Sequence, residues 1–207
     1  MKVILVNGSP KVKGCTYTAL CEVAGALEKN DIKTEIFHIG TEPIRGCMGC
    51  GACKSLGGKC VYQDSVNVFL EKVKEADGFI FGTPVHYAAV SGALSSFLDR
   101  AFYAGKTLFE YKPSAAICSC RRGGATATFD QLNKYFTISN MPIISSSYWN
   151  MVHGTTPEEV KQDLEGMQVM RSLGNNMAWI LKAIEASKKM GISMPEREAK
   201  IITNFIR

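Results

Sequence analysis

Long apolar runs are missing from this chain. No stretch approaches the ~18 apolar residues of a membrane span, and the first apolar run, inside "MKVILVNGSP", is four residues, well short of a secretory h-region. Basic blocks are missing too: 24 Lys+Arg against 19 Asp+Glu leave a net charge of +5 that is spread along the chain. There is no internal repeat and no low-complexity linker. Neither G-x-G-x-x-G nor G-x-x-x-x-G-K-[ST] occurs, which argues against a Rossmann dinucleotide site and an NTPase. These absences set expectations of a cytoplasmic location with reduced thiols and no membrane or nucleic-acid partner. The mild positive charge suits an anionic small molecule.

What is present is the balance of a globular protein, 46% hydrophobic and 21% charged over 207 residues. Strand-like runs alternate with helical ones. "KVILV" (2–6), "KTEIFHI" (33–39), "GFIFG" (78–82), "SAAICSC" (114–120) and "MPIISSSYW" (141–149) read as strands. Residues 16–29, 65–76, 91–102 and 125–136 have helical spacing. The alternation implies βαβ units, and five strands in this length fit a doubly wound α/β parallel sheet of the flavodoxin type, order 2-1-3-4-5. The chain then divides into a domain over 1–150, with a Cys-rich insertion at 45–63 after strand 2, and a C-terminal helical extension over 151–207. In the extension Val160, Leu164, Met167, Met170, Leu173, Met177, Leu181 and Ile184 form one apolar stripe on a long helix. It either packs on its own domain or forms an oligomer contact, a homodimer or homotetramer.

Ligands of such sheets bind beyond the carboxyl ends of the strands. After strand 1, "NGSPKVKGCTYT" (7–18) offers Ser9, Pro10, Lys11, Cys15, Thr16 and Tyr17 on a Gly-flanked loop at a helix start, an anion site of backbone donors. After strand 3, Pro84, Val85, His86 and Tyr87 offer a flat, partly aromatic wall. After strand 4, Ser119, Cys120 and Arg121 precede two glycines, and Cys118 and Cys120 share a strand face. One loop for a phosphate and two for a planar ring together suit FMN.

"CMGCGACKSLGGKC" (47–60) places Cys47, Cys50, Cys53 and Cys60 in a C-x2-C-x2-C-x6-C pattern. Zinc sites commonly use two separated C-x2-C pairs, whereas bacterial ferredoxins use an unbroken C-x2-C-x2-C run for [4Fe–4S]. A cluster, a redox-active or resting thiol set, and zinc all stay open on spacing alone.

"ILVNGSPKVKGCTYT" resembles the FMN phosphate loop of NADPH-dependent FMN reductase-like, flavodoxin-fold proteins. "CMGCGACKSLGGKCVYQDS" and "DGFIFGTPVHYAAVSGALSSFLDR" resemble the iron–sulfur flavoprotein branch of that group. Related sequences commonly carry Asn, Arg and Tyr where this chain has Cys15, Lys11 and His86. The resemblance covers residues 1 to 145 and implies a [4Fe–4S] cluster on the four cysteines. The resulting expectation is an FMN-dependent oxidoreductase, with no side chain as catalytic acid or base. It would pass electrons from NAD(P)H or a reduced carrier to a quinone, flavin or metal ion. The alternative is a flavodoxin- or ferredoxin-like carrier with protein partners and no small-molecule substrate of its own.

Overall fold

A computed structural model describes residues 1–199, 201 and 203. The apolar, β-branched runs become strands β1 (Lys2–Asn7), β2 (Lys33–His38), β3 (Gly78–His86), β4 (Ala89–Val90), β5 (Ser114–Cys120) and β6 (Met151–His153). Between and after them lie helices α1 (Cys15–Glu28), α2 (Ser65–Val73), α3 (Gly92–Phe109), α4 (Ala125–Ile138), α5 (Pro157–Gln162) and α6 (Leu164–Lys189). The sheet order is β2-β1-β3-β5-β6, all parallel, with β4 folded back antiparallel on the end of β3. Counting only the parallel strands in chain order, this is the expected 2-1-3-4-5.

The two faces of the sheet are filled differently. On the α2–α3–α4 side Phe37, Phe69, Phe79, Phe81, Phe97, Phe102, Phe109 and Phe136 form one aromatic network. On the other side α1 and α6 contribute Leu20, Val23, Leu27, Met170, Leu173 and Met177. Gly105 kinks α3 where it presses on α2; a Cβ there would stand 2.5 Å from Leu70 Cδ2.

Two expectations are corrected. The fifth strand does not form over 141–149. Pro142 has no N–H for a ladder, and that segment keeps only an isolated bridge between Ser114 and Ile143. The Ser146 hydroxyl lies 2.6 Å from Asn150 Oδ1 in a turn, and Cys118 N donates to Asn150 O at 2.9 Å, so pairing resumes as β6 at Met151. The last strand therefore lies inside the segment assigned to the extension. The apolar stripe is also not one helix. Asp163 breaks it, caps α6 by accepting from Gly166 N at 2.9 Å, and accepts from His153 N at 2.7 Å. Val160, Met167, Met170, Leu173, Met177 and Leu181 are buried within their own chain, leaving Leu164 (76% exposed) and Trp179 (69%) outside. Most of the stripe packs on its own domain.

Helices α1 and α6 approach closely at Gly174, where a Cβ would lie 2.7 Å from Ala26 Cβ and 2.8 Å from Val23 O. Gly174→Ala in a free helix would gain about 1 kcal/mol of propensity. Here overpacking against a rigid carbonyl reverses the sign, and a net loss of about 1–3 kcal/mol in urea unfolding is expected.

Glu35 on β2 accepts from Lys2 at 2.7 Å and from Lys72 at 2.6 Å, tying β1, β2 and α2 together. Lys2 first and Lys72 second hold its carboxyl below the ordinary value of 4.5. A folded-state value below the unfolded one makes the contribution complete above the unfolded value and lost as pH falls through the folded one. Glu35→Gln should be slightly less stable than the parent at pH 7. The two unfolding curves should converge once the pH falls below the carboxylate range.

Candidate functional site

The carboxyl edge of the sheet carries an open cleft of about 250 Å³, lined by Ser9, Pro10, Lys11, Cys15, Thr16, Pro84, Val85, His86, Ser119, Cys120, Arg121, Gly154 and Thr155. Its floor begins at Gly8, whose N–H donates to Gly82 O at 2.8 Å and whose carbonyl accepts from the Ser91 hydroxyl at 2.8 Å. A Cβ at Gly8 would stand 2.5 Å from Leu94 Cδ2, so only glycine lets β1 end against α3. Asn7 shapes the loop from within: Oδ1 accepts from Ser9 N at 3.1 Å, and Nδ2 donates to Val12 O at 3.0 Å. His38 Nδ1 accepts from Gly40 N, which leaves Nε2 protonated to donate to Ser9 O at 2.8 Å.

Helix α1 opens at the cleft with Gly14 at its cap and no side chain capping it. Its first N–H groups and the positive end of its dipole face the loop. Thr16, 1% exposed, shares a 2.8 Å hydrogen bond with Ser119 across the cleft floor. None of the thirteen lining residues is acidic. Hydroxyls, free amides and the exposed cations Lys11 and Arg121 suit an anion beside a flat group, and the residues present fit FMN.

The thiols in and beside the cleft are held in their neutral form by burial. Burial, with Glu159 and Glu158 adding to it, raises Cys15 above its usual value against the pull of its own N–H and Lys11. Burial first and Asp163 second raise Cys120. Burial pushes Cys118 up to about 12. All three pack as small hydrophobes.

Eleven of the thirteen cofactor-binding candidates meet in this cleft; Tyr17 and Tyr87 do not line it. Tyr17 turns toward Cys21 on the outer face of α1. Tyr87 is fully exposed at the tip of the β3–β4 hairpin, where it and Ala88 both take positive φ (50° and 57°). Gly154 and Thr155 lie outside the three loops expected to form the site, because the last strand pairs at Met151 and not over 141–149. "HGTTPEE" carried the signal of a strand-to-helix turn: Thr156 caps α5 by accepting from Glu159 N at 3.2 Å, and Pro157 follows it.

The four cysteines of the 47–60 loop form a second site. Cys47, Cys50, Cys53 and Cys60 line one small cavity of about 20 Å³ with Tyr62, Arg100, Tyr103 and Ala104, and no carboxylate or imidazole is among the lining residues. Gly51, at φ 71°, turns the chain between Cys50 and Cys53. All eight cysteines are unpaired. Among the described residues no three His, Cys, Asp or Glu side chains converge on a single-ion site. Four thiols lining one hollow are soft donors of the type an iron–sulfur cluster takes.

Cys60 is anchored from α2 and α3. Asn67 Oδ1 accepts from Cys60 N at 2.8 Å and its Nδ2 donates to Cys60 O at 2.8 Å. Arg100 donates through Nε to Cys60 Sγ at 3.2 Å and bidentately to Asp64 at 2.5 and 3.0 Å. Burial would lower the Arg100 pKa, but Asp64 and then Cys60 hold it above its ordinary value. Neither Asn67 nor Arg100 is a candidate site residue by sequence motif. The signal for Arg100 was a charge on the apolar face of α3, in helical register with Phe97 and Ala104.

The cavity and the cleft share no lining residue. Helix α3 connects them: it begins beside Gly8, and Arg100 lies eight residues, about 12 Å, further along its axis.

The model of the NADPH-dependent FMN reductase family matches residues 1–156. An iron–sulfur flavoprotein of Methanocaldococcus jannaschii is 33% identical over 89% of this chain and 100% of its own. One of Methanosarcina thermophila is 25% identical over 91% and 99%. The structure of RosB with bound 8-demethyl-8-formylriboflavin-5'-phosphate superposes at a TM-score of 0.67 and 15% identity, covering 99% of this chain and 92% of that one. At that identity the likeness concerns the fold alone. With a flavodoxin-order sheet, an anion-seeking cleft on its carboxyl edge and this coverage by family and relatives, the chain belongs to the NADPH-dependent FMN reductase family, alongside its iron–sulfur flavoproteins.

Proposed function

We propose that this protein is an FMN-dependent oxidoreductase that takes electrons from NAD(P)H or a reduced carrier and passes them to an acceptor such as a quinone, flavin or metal ion. The observation that carries this is the acid-free cleft, with an uncapped helix N-terminus at one side and a flat Pro84–Val85–His86 wall at another. FMN, when bound, supplies the exchange between two-electron and one-electron chemistry. The chain's part is to hold and tune it. The Ser9 and Thr16 hydroxyls, the Lys11 charge and the first amides of α1 bind its phosphate. Pro84, Val85 and His86 flank the ring with Ser119 and Cys120, and Arg121 places positive charge near it.

Cys47, Cys50, Cys53 and Cys60 would hold a [4Fe–4S] cluster, which supplies one-electron transfer. The relatives named iron–sulfur flavoproteins support this reading. A homodimer or homotetramer belongs to it as well. One chain leaves its cleft open and Cys47 and Cys50 exposed, so a neighbour is needed to enclose either site.

The sequence has no second dinucleotide motif, so donor and acceptor use the same exposed flavin face in turn. Steady-state oxidation of NADH or NADPH with quinone or ferricyanide should therefore give ping-pong kinetics. FMN-loaded protein that turns over neither nucleotide would instead be an electron carrier.

Thr16→Ala removes a buried hydroxyl from the phosphate loop and leaves Ser119 without its partner. FMN affinity, read by fluorescence titration, should fall by about 1–2 kcal/mol, roughly 5- to 30-fold. Unchanged affinity would rule Thr16 out of the cofactor site.

Anaerobic reconstitution with iron and sulfide should load about four irons per chain, as a cubane requires, and Cys50→Ser should abolish that loading. Zinc at one per chain would refute the cluster.

A further inference from the structure

Arg100 is 2% exposed, which is costly for a cation. Asp64, at the rim with its side chain 32% exposed, could be satisfied by water instead. The pair is therefore poorly explained as a stabilising element, and the other atoms Arg100 addresses explain it better. Its guanidinium has five N–H donors in a fixed fork. Nε takes Cys60 Sγ. Nη1 takes Asp64 and Arg45 O at 3.3 Å; Nη2 takes Asp64 and Tyr62 O at 3.4 Å. Arg45 precedes the first cysteine of the loop and Tyr62 follows the last. One buried side chain thus holds both ends of the cysteine loop, while its plane lies 5.1 Å from the centre of the Tyr62 ring. Among the described residues no hydrogen bond reaches the sulfurs of Cys47, Cys50 or Cys53, so Cys60 alone receives a cationic donor.

Resting on the cluster reading above, we infer that Arg100 is the clasp of the cysteine loop and the positioning residue for Cys60, and that it sets the electron affinity of the cluster. Closing the loop before iron arrives removes part of the entropy that four ligands would lose on binding. The Nε–H bond to Cys60 draws negative charge from that thiolate, and donors to cluster sulfur favour the reduced form. Reduction here adds one electron, with no bond made or broken. Asp64 offsets the formal charge of the guanidinium and so opposes it.

The test is anaerobic reconstitution of the full chain as parent, Arg100→Gln, Arg100→Lys and Asp64→Asn. Iron per chain, iron loss to a chelator and the cluster's reduction potential by EPR-monitored titration are read on each. FMN content reports folding, since the cleft shares no residue with the cavity. Arg100→Gln should retain iron about 10- to 100-fold less tightly and reduce at a lower potential. Arg100→Lys keeps the charge without the fork, so it should recover part of the potential and little of the retention. Asp64→Asn, which can still cap α2, should move the potential the other way by leaving the guanidinium uncompensated. This opposite shift is the decisive reading if the Arg100 variants do not fold. A parent that loads iron, with variants whose retention and potential match it, overturns the inference alone. A parent that binds no iron under strict anaerobiosis overturns the cluster reading and this inference with it.

Discussion

Strands β1, β3 and β5 have almost no surface in water. Val3, Ile4, Leu5 and Val6, then Phe79, Ile80 and Phe81, then Ala115, Ala116 and Ile117 are wholly buried. A parallel sheet buried on both faces satisfies its backbone in its own ladder and leaves little room for polar side chains in the middle of its strands. Both faces must be covered, which is why α6 lies on α1. Polar chemistry is driven to where the ladder ends, at the carboxyl edge. There the chain turns from strand to helix and its amides are free.

The protein places charge in two different ways. In the cleft the fixed positive potential is mostly backbone: the start of α1, shaped by Asn7, Gly8 and His38, with buried hydroxyls on Thr16 and Ser119 and cations only at the rim. Such a site can accept an anion without a buried charge of its own. At the cysteine cavity the cation is inside the protein, fully hydrogen-bonded by Asp64, two loop carbonyls and a thiol. A buried ion pair contributes little to stability unless all its bonds are made. Here they are made to the loop that carries the cysteines, so the cost of burial goes into shaping that loop.

The aromatic face deepens this division. Phe97 packs in the core on the same side of α3 that carries Arg100 one turn later. The helix that closes the hydrophobic core thereby also carries the clasp. Its N-terminus meets Gly8 through Ser91 and Leu94. The two sites are different in chemistry but share one rigid element.

The sequence by itself determined what is local. Period-two and period-3.6 patterns were enough for β1, β2, β3 and β5 and for α1 to α4, because each of these elements buries one recurring set of positions. The order of the parallel strands followed from the alternation. Glycine and hydroxyl residues after strand 1 marked the anion loop, and cysteine spacing marked the second site, since both depend on backbone reach over a few residues. Only the tertiary structure decided which distant pieces meet. Thr16 finds Ser119 across 103 positions and Arg100 finds Asp64 across 36. Helix α6 spends its apolar stripe on α1, and Pro142 with the Ser146 turn defers the last strand to Met151, bringing Gly154 and Thr155 to the cleft. Those outcomes depend on how two surfaces fit at short range, down to a glycine that admits a carbonyl or a guanidinium that needs five acceptors. No pattern along the chain records that fit.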